Sequence, residues 1–204
     1  MSEMFQIDFV VPWVDDKDPL WQKKKAELTG VDYEEGNTEV RYRDWDTLKY
    51  WFRGVEKFAP WVRNIYFVTD DQKPDWLNIE HPKLKWVKHT EFIPKEYLPT
   101  FSCQAIEWNL HRIEGLSENF VYFNDDVFLI NHTKPEDFFK NGLPCDLPCL
   151  GVLYPNGFFS YLMFNNTDLL NRHFSLKQSI KNKLSNWVKH QSLSGLLKLF
   201  LYGR

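Results

Sequence analysis

The sequence predicts an α/β fold of the Rossmann-like type: a mainly parallel sheet flanked by helices, with an irregular and helical C-terminal part. Three observations carry this expectation. Short runs rich in β-branched and aromatic residues alternate with stretches of helical spacing. The first run is apolar almost without a break, as a strand buried on both faces requires. Three of the runs stop at adjacent acids, the polar punctuation expected where a strand leaves the core.

In chain order, residues 7–14 (IDFVVPWV) form the first strand, closed by Asp15, Asp16, Lys17, Asp18 and Pro19. Residues 21–40 turn polar and charged, with a short helical start and then Gly and Asn, and read as an excursion. Residues 44–58 place Trp45, Leu48, Trp51, Phe52 and Val55 at helical spacing, with Asp44 as the expected cap and Pro60 after the end. Residues 64–69 (NIYFVT) form a second strand ending in Asp70 and Asp71, and residues 84–88 a weaker third. A second helix spans 102–113, with Gly115 where a C-cap favours glycine. The fourth strand, 119–123, stops at Asn124, Asp125 and Asp126, and residues 127–130 continue it or start another. Beyond Asn131 the pattern breaks into Pro and Gly punctuation, a helix over 166–172 and a basic segment over 176–204. The expected division is a catalytic α/β domain over 1–174 and a basic amphipathic segment over 175–204.

Composition excludes several classes. With 43% hydrophobic residues, 17% aromatic residues and no window near the roughly 20 apolar residues of a membrane span, the 204-residue chain reads as globular. Its net charge of −3 lacks the basic excess of a non-specific nucleic-acid binder, so no nucleic-acid partner is expected. Cys103, Cys145 and Cys149 show neither paired metal spacing nor a secreted-scaffold pattern, and are expected to be reduced and buried. The first ten residues lack the features of a signal peptide, so the expected compartment is the cytoplasm. P-loop, GxGxxG and GxSxG motifs are all absent.

The acid pairs carry the chemistry. In a parallel sheet the ends of such strands share one edge, where ligands bind. Adjacent carboxylates repel unless a cation or a proton relieves them, and an oxygen-only set suits Mg²⁺ or Mn²⁺ bridging to phosphates. Against this, Asp is also favoured in turns and caps, which suffices for any single pair. Asn124-Asp125-Asp126 differs, because two charges inside the apolar stretch VYF…VFLI are costly without partners. Arg41, Arg43, Lys49 and Arg53 surround the first long helix; they are either solvated or, with Arg53 one turn beyond Lys49, able to hold a diphosphate. His111 sits late in the second helix, as a helix-end cation or as a site residue. A conventional nucleotide-sugar glycosyltransferase and a receiver-like Mg²⁺-binding module share these features.

The runs IDFVVPWVDDKDP (7–19), RYRDWDTLKYWFRGVEKFAPWVRNIYFVTDDQKPDWL (41–77) and LPTFSCQAIEWNLHRIEGLSENFVYFNDDVFL (98–129) closely resemble the Stealth family of polysaccharide phosphotransferases. The run NHTKPEDFFKNGLPCD (131–146) most resembles its streptococcal receptor-polysaccharide members. The resemblance implies a GT-A-like version of the fold and transfer of a hexose 1-phosphate from a UDP-sugar to a hydroxyl of a growing glycan, with release of UMP. It implies Asp125 and Asp126 as metal ligands for Mg²⁺ or Mn²⁺ or as the base, Trp13, Val14 and Asp15 along the nucleotide with Arg41 and Lys49, and Arg53 on phosphate, with His111 in the catalytic set. Lys49 stands where the family more often has Arg, replacing a fork with a point charge. Family members continue past NRHF (171–174) into motifs that supply a histidine and arginines, so a shortened form with weakened transfer is also expected. The lysines of 176–204 amid apolar residues give a segment that docks on the sheet or meets an anionic membrane surface near a lipid-linked acceptor.

Overall fold

Strands β1 (Ile7–Pro12), β2 (Ile65–Thr69), β3 (Leu84–Lys88) and β4 (Asn119–Tyr122) form one parallel sheet in the order β3-β2-β1-β4. The structure is a computed structural model and describes residues 6–29, 45–146, 154, 157–182 and 185. It divides into two compact units, Met1–Cys145 and Asp146–Arg204. The parallel α/β class expected from the sequence is therefore the observed one.

β1 is central and buried on both faces, which explains its unbroken apolarity. Ile7, Phe9 and Val11 join a core with Trp51, Val55 and Phe67, whereas Val10 joins Tyr66, Val68, Leu110 and Ile113. The period of two along the strand thus sends alternate residues into two separate cores. Phe9 pairs with Ile65 of β2 and with Val121 of β4.

The helices partly follow the expectation. α1 (Pro19–Thr29) is a full helix of 11 residues where only a helical start was expected. Its origin is legible in hindsight: the Asp18 carboxylate accepts from Leu20 N at 2.9 Å, and Pro19 occupies the first helical position. α2 (Leu48–Phe58) begins later than the expected Asp44, which lies outside the described residues. Asp46, at φ 56°, breaks the helical run ahead of Leu48 and leaves Trp45 exposed. Leu48, Trp51 and Val55 are buried as their spacing requires. Gly54 is needed for contact, since a Cβ there would stand 3.2 Å from the Leu129 carbonyl. Residues 127–130 therefore lie against α2, and they do not form a strand.

After β3 come α3 (His89–Phe92) and α4 (Cys103–Asn109), the latter capped by Ser102 Oγ accepting from Ala105 N. The helix expected over 102–113 tightens into a 3₁₀ turn at Leu110–Arg112, and Gly115 adopts φ +75° shortly after it. Past β4, α5 (Pro135–Phe138) leads into a small antiparallel hairpin, β5 (Phe139–Lys140) and β6 (Leu143–Pro144). In the second unit, α6 (Phe158–His173) extends well before the expected 166–172 and is followed by α7 (Leu176–Asn182). The rest of the basic segment lies outside the described residues, apart from Ser185. Among the described residues no helix is long and apolar enough to cross a membrane. Cys103 and Cys145 are free thiols, but both are exposed, a correction to the expected burial. Cys103 sits in the first turn of α4 and Cys145 just past β6, so neither faces a core. Cys149 lies outside the described residues.

Among the described residues of the sheet, one acidic group is fully buried. Asp8, with no exposed surface, receives Arg63 Nε at 2.8 Å and also Arg63 Nη2, Asn64 N at 3.1 Å and Ser117 N at 2.8 Å. Arg63 Nη2 also donates to the Gly115 carbonyl at 2.8 Å. The carboxylate thereby ties the start of β1 to the residues that open β2 and β4. The neighbouring carboxylate raises the pKa of the Arg63 guanidinium, first through their hydrogen bond. Removing one partner of a buried pair strands the other. Arg63→Ala is expected to cost about 3 kcal/mol of unfolding free energy, read as a lowered urea midpoint, with Arg63→Lys intermediate because it loses the fork. An unchanged midpoint for Arg63→Ala would show that the two backbone donors suffice.

Candidate functional site

A cavity of about 410 Å³ opens at the C-terminal edge of the sheet. All four strands feed it: β1 through Pro12, Trp13 and Val14, β2 through Asp70, β3 through His89, and β4 through Tyr122 and the turn Asn124-Asp125-Asp126. Trp21 of α1 and Phe101, in edge contact at 5.4 Å, form part of the wall. This is the edge at which open α/β sheets bind ligands.

The loop after β1 is held by one side chain. Gln72 Nε2 donates to the Asp15 carbonyl at 3.0 Å and to Asp18 Oδ2 at 2.9 Å, while its Oε1 accepts from Asp15 N at 3.0 Å. The hydrogen bond from Gln72 is the main reason the Asp18 carboxyl titrates below its usual range. Gln72 is itself anchored by Thr69, whose buried hydroxyl donates to the Gln72 carbonyl at 2.7 Å. The clamp presents Trp13, stacked on Phe67 with centroids 5.9 Å apart, to the cavity. Asp15 is turned into the loop instead, where its carboxylate accepts from Lys17 N at 2.9 Å. Asp16 keeps a buried carboxylate oxygen with no hydrogen bond among the described residues.

The two ends of the cavity differ. At the β2 and β3 end, His89 is 7% exposed and Trp21 is equally enclosed. Burial holds the His89 imidazole below its usual pKa, partly opposed by the Asp70 carboxylate and reinforced by Lys24. Lys24 Nζ lies 3.1 Å from Asp70 Oδ2. At the β4 end, Asn124 and Asp126 are exposed and Asp125 half-buried, so this is the open side. Tyr122 Oη donates to Glu107 Oε1 at 3.0 Å. Burial and then the Glu107 charge push the Tyr122 hydroxyl far up.

Trp13, Val14, Asp125 and Asp126 are therefore brought together on one cavity. Lys49 and Arg53 are placed elsewhere, on a second cavity beside α2 lined also by Phe52, Trp76, Leu77 and Lys83. Lys49 is ion-paired with Asp46, and this bond raises its pKa. His111 is exposed in the 3₁₀ turn and lines neither cavity. Arg41 and Arg43 lie outside the described residues. Of the three acid pairs, only Asp70 and the Asp125–Asp126 pair reach the site; Asp71 is ion-paired with Lys88. Among residues not singled out from the sequence, His89 is the plainest. It directly follows a strand, as Asp70 does and the Asn124 turn nearly does, and the same strand-end rule would have found it.

The donor set bears on the expected cation. Among the described residues no group of three or more His, Cys, Asp and Glu side chains is placed to hold a metal ion. Two adjacent carboxylates and an amide oxygen on one cavity wall do fit Mg²⁺ or Mn²⁺, which retain water and complete their shells with substrate phosphates.

Two family models match the chain: Stealth protein CR1, conserved region 1, over residues 5–30, and Stealth protein CR2, conserved region 2, over residues 41–145. All four strand ends that build the cavity fall inside these regions. Among curated relatives, the capsular polysaccharide phosphotransferase eps5J of Streptococcus thermophilus is 52% identical, the match covering 86% of this chain and 75% of the relative. The capsular polysaccharide phosphotransferase WcwK of Streptococcus pneumoniae is also 52% identical, covering 85% of this chain and 53% of the relative. The receptor polysaccharide phosphotransferase WefC of Streptococcus gordonii is 48% identical over 97% of this chain and 61% of its own length. The chain thus spans little more than half of the latter two.

His89 gives a stability signature. Its pKa in the folded protein lies below the ordinary 6.5, so between these values the unfolded chain binds more protons. Stability is then fully present above about pH 6.5 and declines as pH falls from there toward the folded pKa. Urea midpoints measured between about pH 5 and 7.5 are expected to fall on acidification in the wild type and to flatten in His89→Gln. Parallel profiles would contradict the burial of a neutral imidazole.

Proposed function

The chain belongs to the Stealth family, and on that premise we propose that it is a phosphotransferase of polysaccharide synthesis that moves a hexose 1-phosphate from a UDP-sugar to a glycan hydroxyl, releasing UMP. The observation that carries this reading is the Asn124-Asp125-Asp126 turn lining one cavity with Trp13 and Val14 at the strand C-termini. The relatives named above are phosphotransferases of capsular or receptor polysaccharides.

In the transfer, the acceptor oxygen bonds to the phosphorus bearing the sugar, the bridging P–O bond breaks, and UMP departs with the bonding pair. Catalysis of this kind consists of alignment and charge stabilisation. Asp125 and Asp126, with Asn124, would hold Mg²⁺ or Mn²⁺, whose charge neutralises a diphosphate when bound. Trp13 and Val14 flank the donor. A carboxylate at the open end accepts the acceptor proton, and the same opening admits a long glycan, lipid-linked or free. Such an enzyme works on the cytoplasmic side of the membrane, where nucleotide-sugars are made.

The purified chain with a panel of UDP-sugars, a glycan acceptor and Mn²⁺ is expected to release UMP; release of UDP would assign it to ordinary glycosyl transfer instead. Asp126→Asn is expected to lower turnover by roughly 10²-fold or more, measured as nucleotide release. Turnover equal to the wild type would remove Asp126 from the site.

A further inference from the structure

The closed end of the cavity has no role in that account, yet it holds two ionisable side chains on adjacent strand ends. We propose that Asp70 and His89 bind the nucleoside half of the donor, with the Asp70 carboxylate accepting from a ribose hydroxyl and the His89 imidazole contacting the base. The proposal rests on the nucleotide-sugar phosphotransferase reading and assigns a direction to it.

The argument begins with the sheet. Strand order β3-β2-β1-β4 places Asp70 two strands and His89 three strands from the Asn124-Asp125-Asp126 turn. At strand spacings of about 4.8 Å, that is roughly 10 and 14 Å along the cavity. A base or acid acting on the reacting phosphate must lie within hydrogen-bond reach of it, so Asp70 and His89 are too far from phosphates gathered at that turn to act there. They are at a distance an extended nucleoside diphosphate covers.

Enclosure fixes which substrate lies at which end. His89 and Trp21 are buried, whereas Asn124 and Asp126 are exposed. A growing polysaccharide cannot terminate in a closed pocket; a nucleoside, which has a fixed size, can. Trp21, on the helix whose Lys24 pairs with Asp70, and Phe101 in edge contact with it supply apolar faces suited to a planar base.

The electrostatics agree. The Asp70 carboxylate is oriented by Lys24 and retains further lone pairs for hydroxyl donors. Charged groups facing His89 are Asp70 from the end of β2 and Lys24 from α1, and burial keeps the ring neutral, able both to donate and to accept.

The test is calorimetric binding of UMP and of 2′-deoxy-UMP to the full chain, without acceptor, for the wild type, Asp70→Asn and His89→Gln. Thermal melts establish that each variant is folded, and Asp70→Ser replaces Asp70→Asn should the latter not fold. Replacing the charged acceptor by a neutral amide oxygen predicts roughly tenfold weaker UMP binding by Asp70→Asn, with less than about a twofold change for 2′-deoxy-UMP. His89→Gln is expected to weaken both ligands alike. If the wild type binds UMP and neither variant differs from it, the proposal falls while the phosphotransferase reading stands. Equal loss of both ligands in Asp70→Asn removes the ribose contact. If the wild type binds no nucleoside monophosphate, both the proposal and the reading beneath it fail.

Discussion

The buried Asp8 carboxylate is the constraint from which the architecture follows. It sits at the start of the central strand and gathers donors from Arg63, Asn64 and Ser117, which lie where β2 and β4 begin. An ionised group without surface exposure is tolerated only when its lone pairs are filled. Here they are filled by the neighbouring segments whose registers must agree. A slip of one residue would turn every side chain of a strand to the opposite face and leave this carboxylate without donors. Alignment at the N-terminal edge is also alignment at the other, because parallel strands of similar length end together. The edge that bears the candidate site is therefore set from the far side of the sheet.

What the sheet aligns, two short polar clamps then aim. Thr69 holds Gln72, and Gln72 holds the loop that carries Trp13 and Val14 while turning Asp15 aside. Trp86 Nε1 donates to the same Thr69 hydroxyl at 2.9 Å, so β3 is tied to this loop as well. At the other edge Tyr122 is fixed by Glu107 of α4, directly before the acidic turn. Site loops thus rest on hydrogen bonds made by the core strands, which provides the preorganisation that phosphoryl transfer requires.

The resulting cavity has a polarity. Carboxylates lie at its open side, and an acid paired with a lysine lies beside a neutral imidazole at its closed side. Lys49 and Arg53 line a separate, more apolar cavity beside α2 with Phe52, Val55 and Leu84.

Much of this was legible in residue order. The parallel class followed from the alternation of apolar runs and helical spacing, and β3 lies where its residues place it. The Asn124-Asp125-Asp126 turn stood out because charge inside an apolar stretch is costly. These are local properties, carried by neighbours along the chain. Residue order did not reveal that Asp8 would take up Arg63, 55 positions away, or that Lys49 and Arg53 would line a different cavity from the one at the strand ends. A helix pattern tells which side is buried but not what lies beyond each end of that side. His89 and Asp70 acquire their shared role only because β2 and β3 are neighbours in the sheet. Local chemistry is written in sequence; which groups meet, and at what depth from solvent, is decided by long-range packing, since burial and distance exist only once the strands have paired.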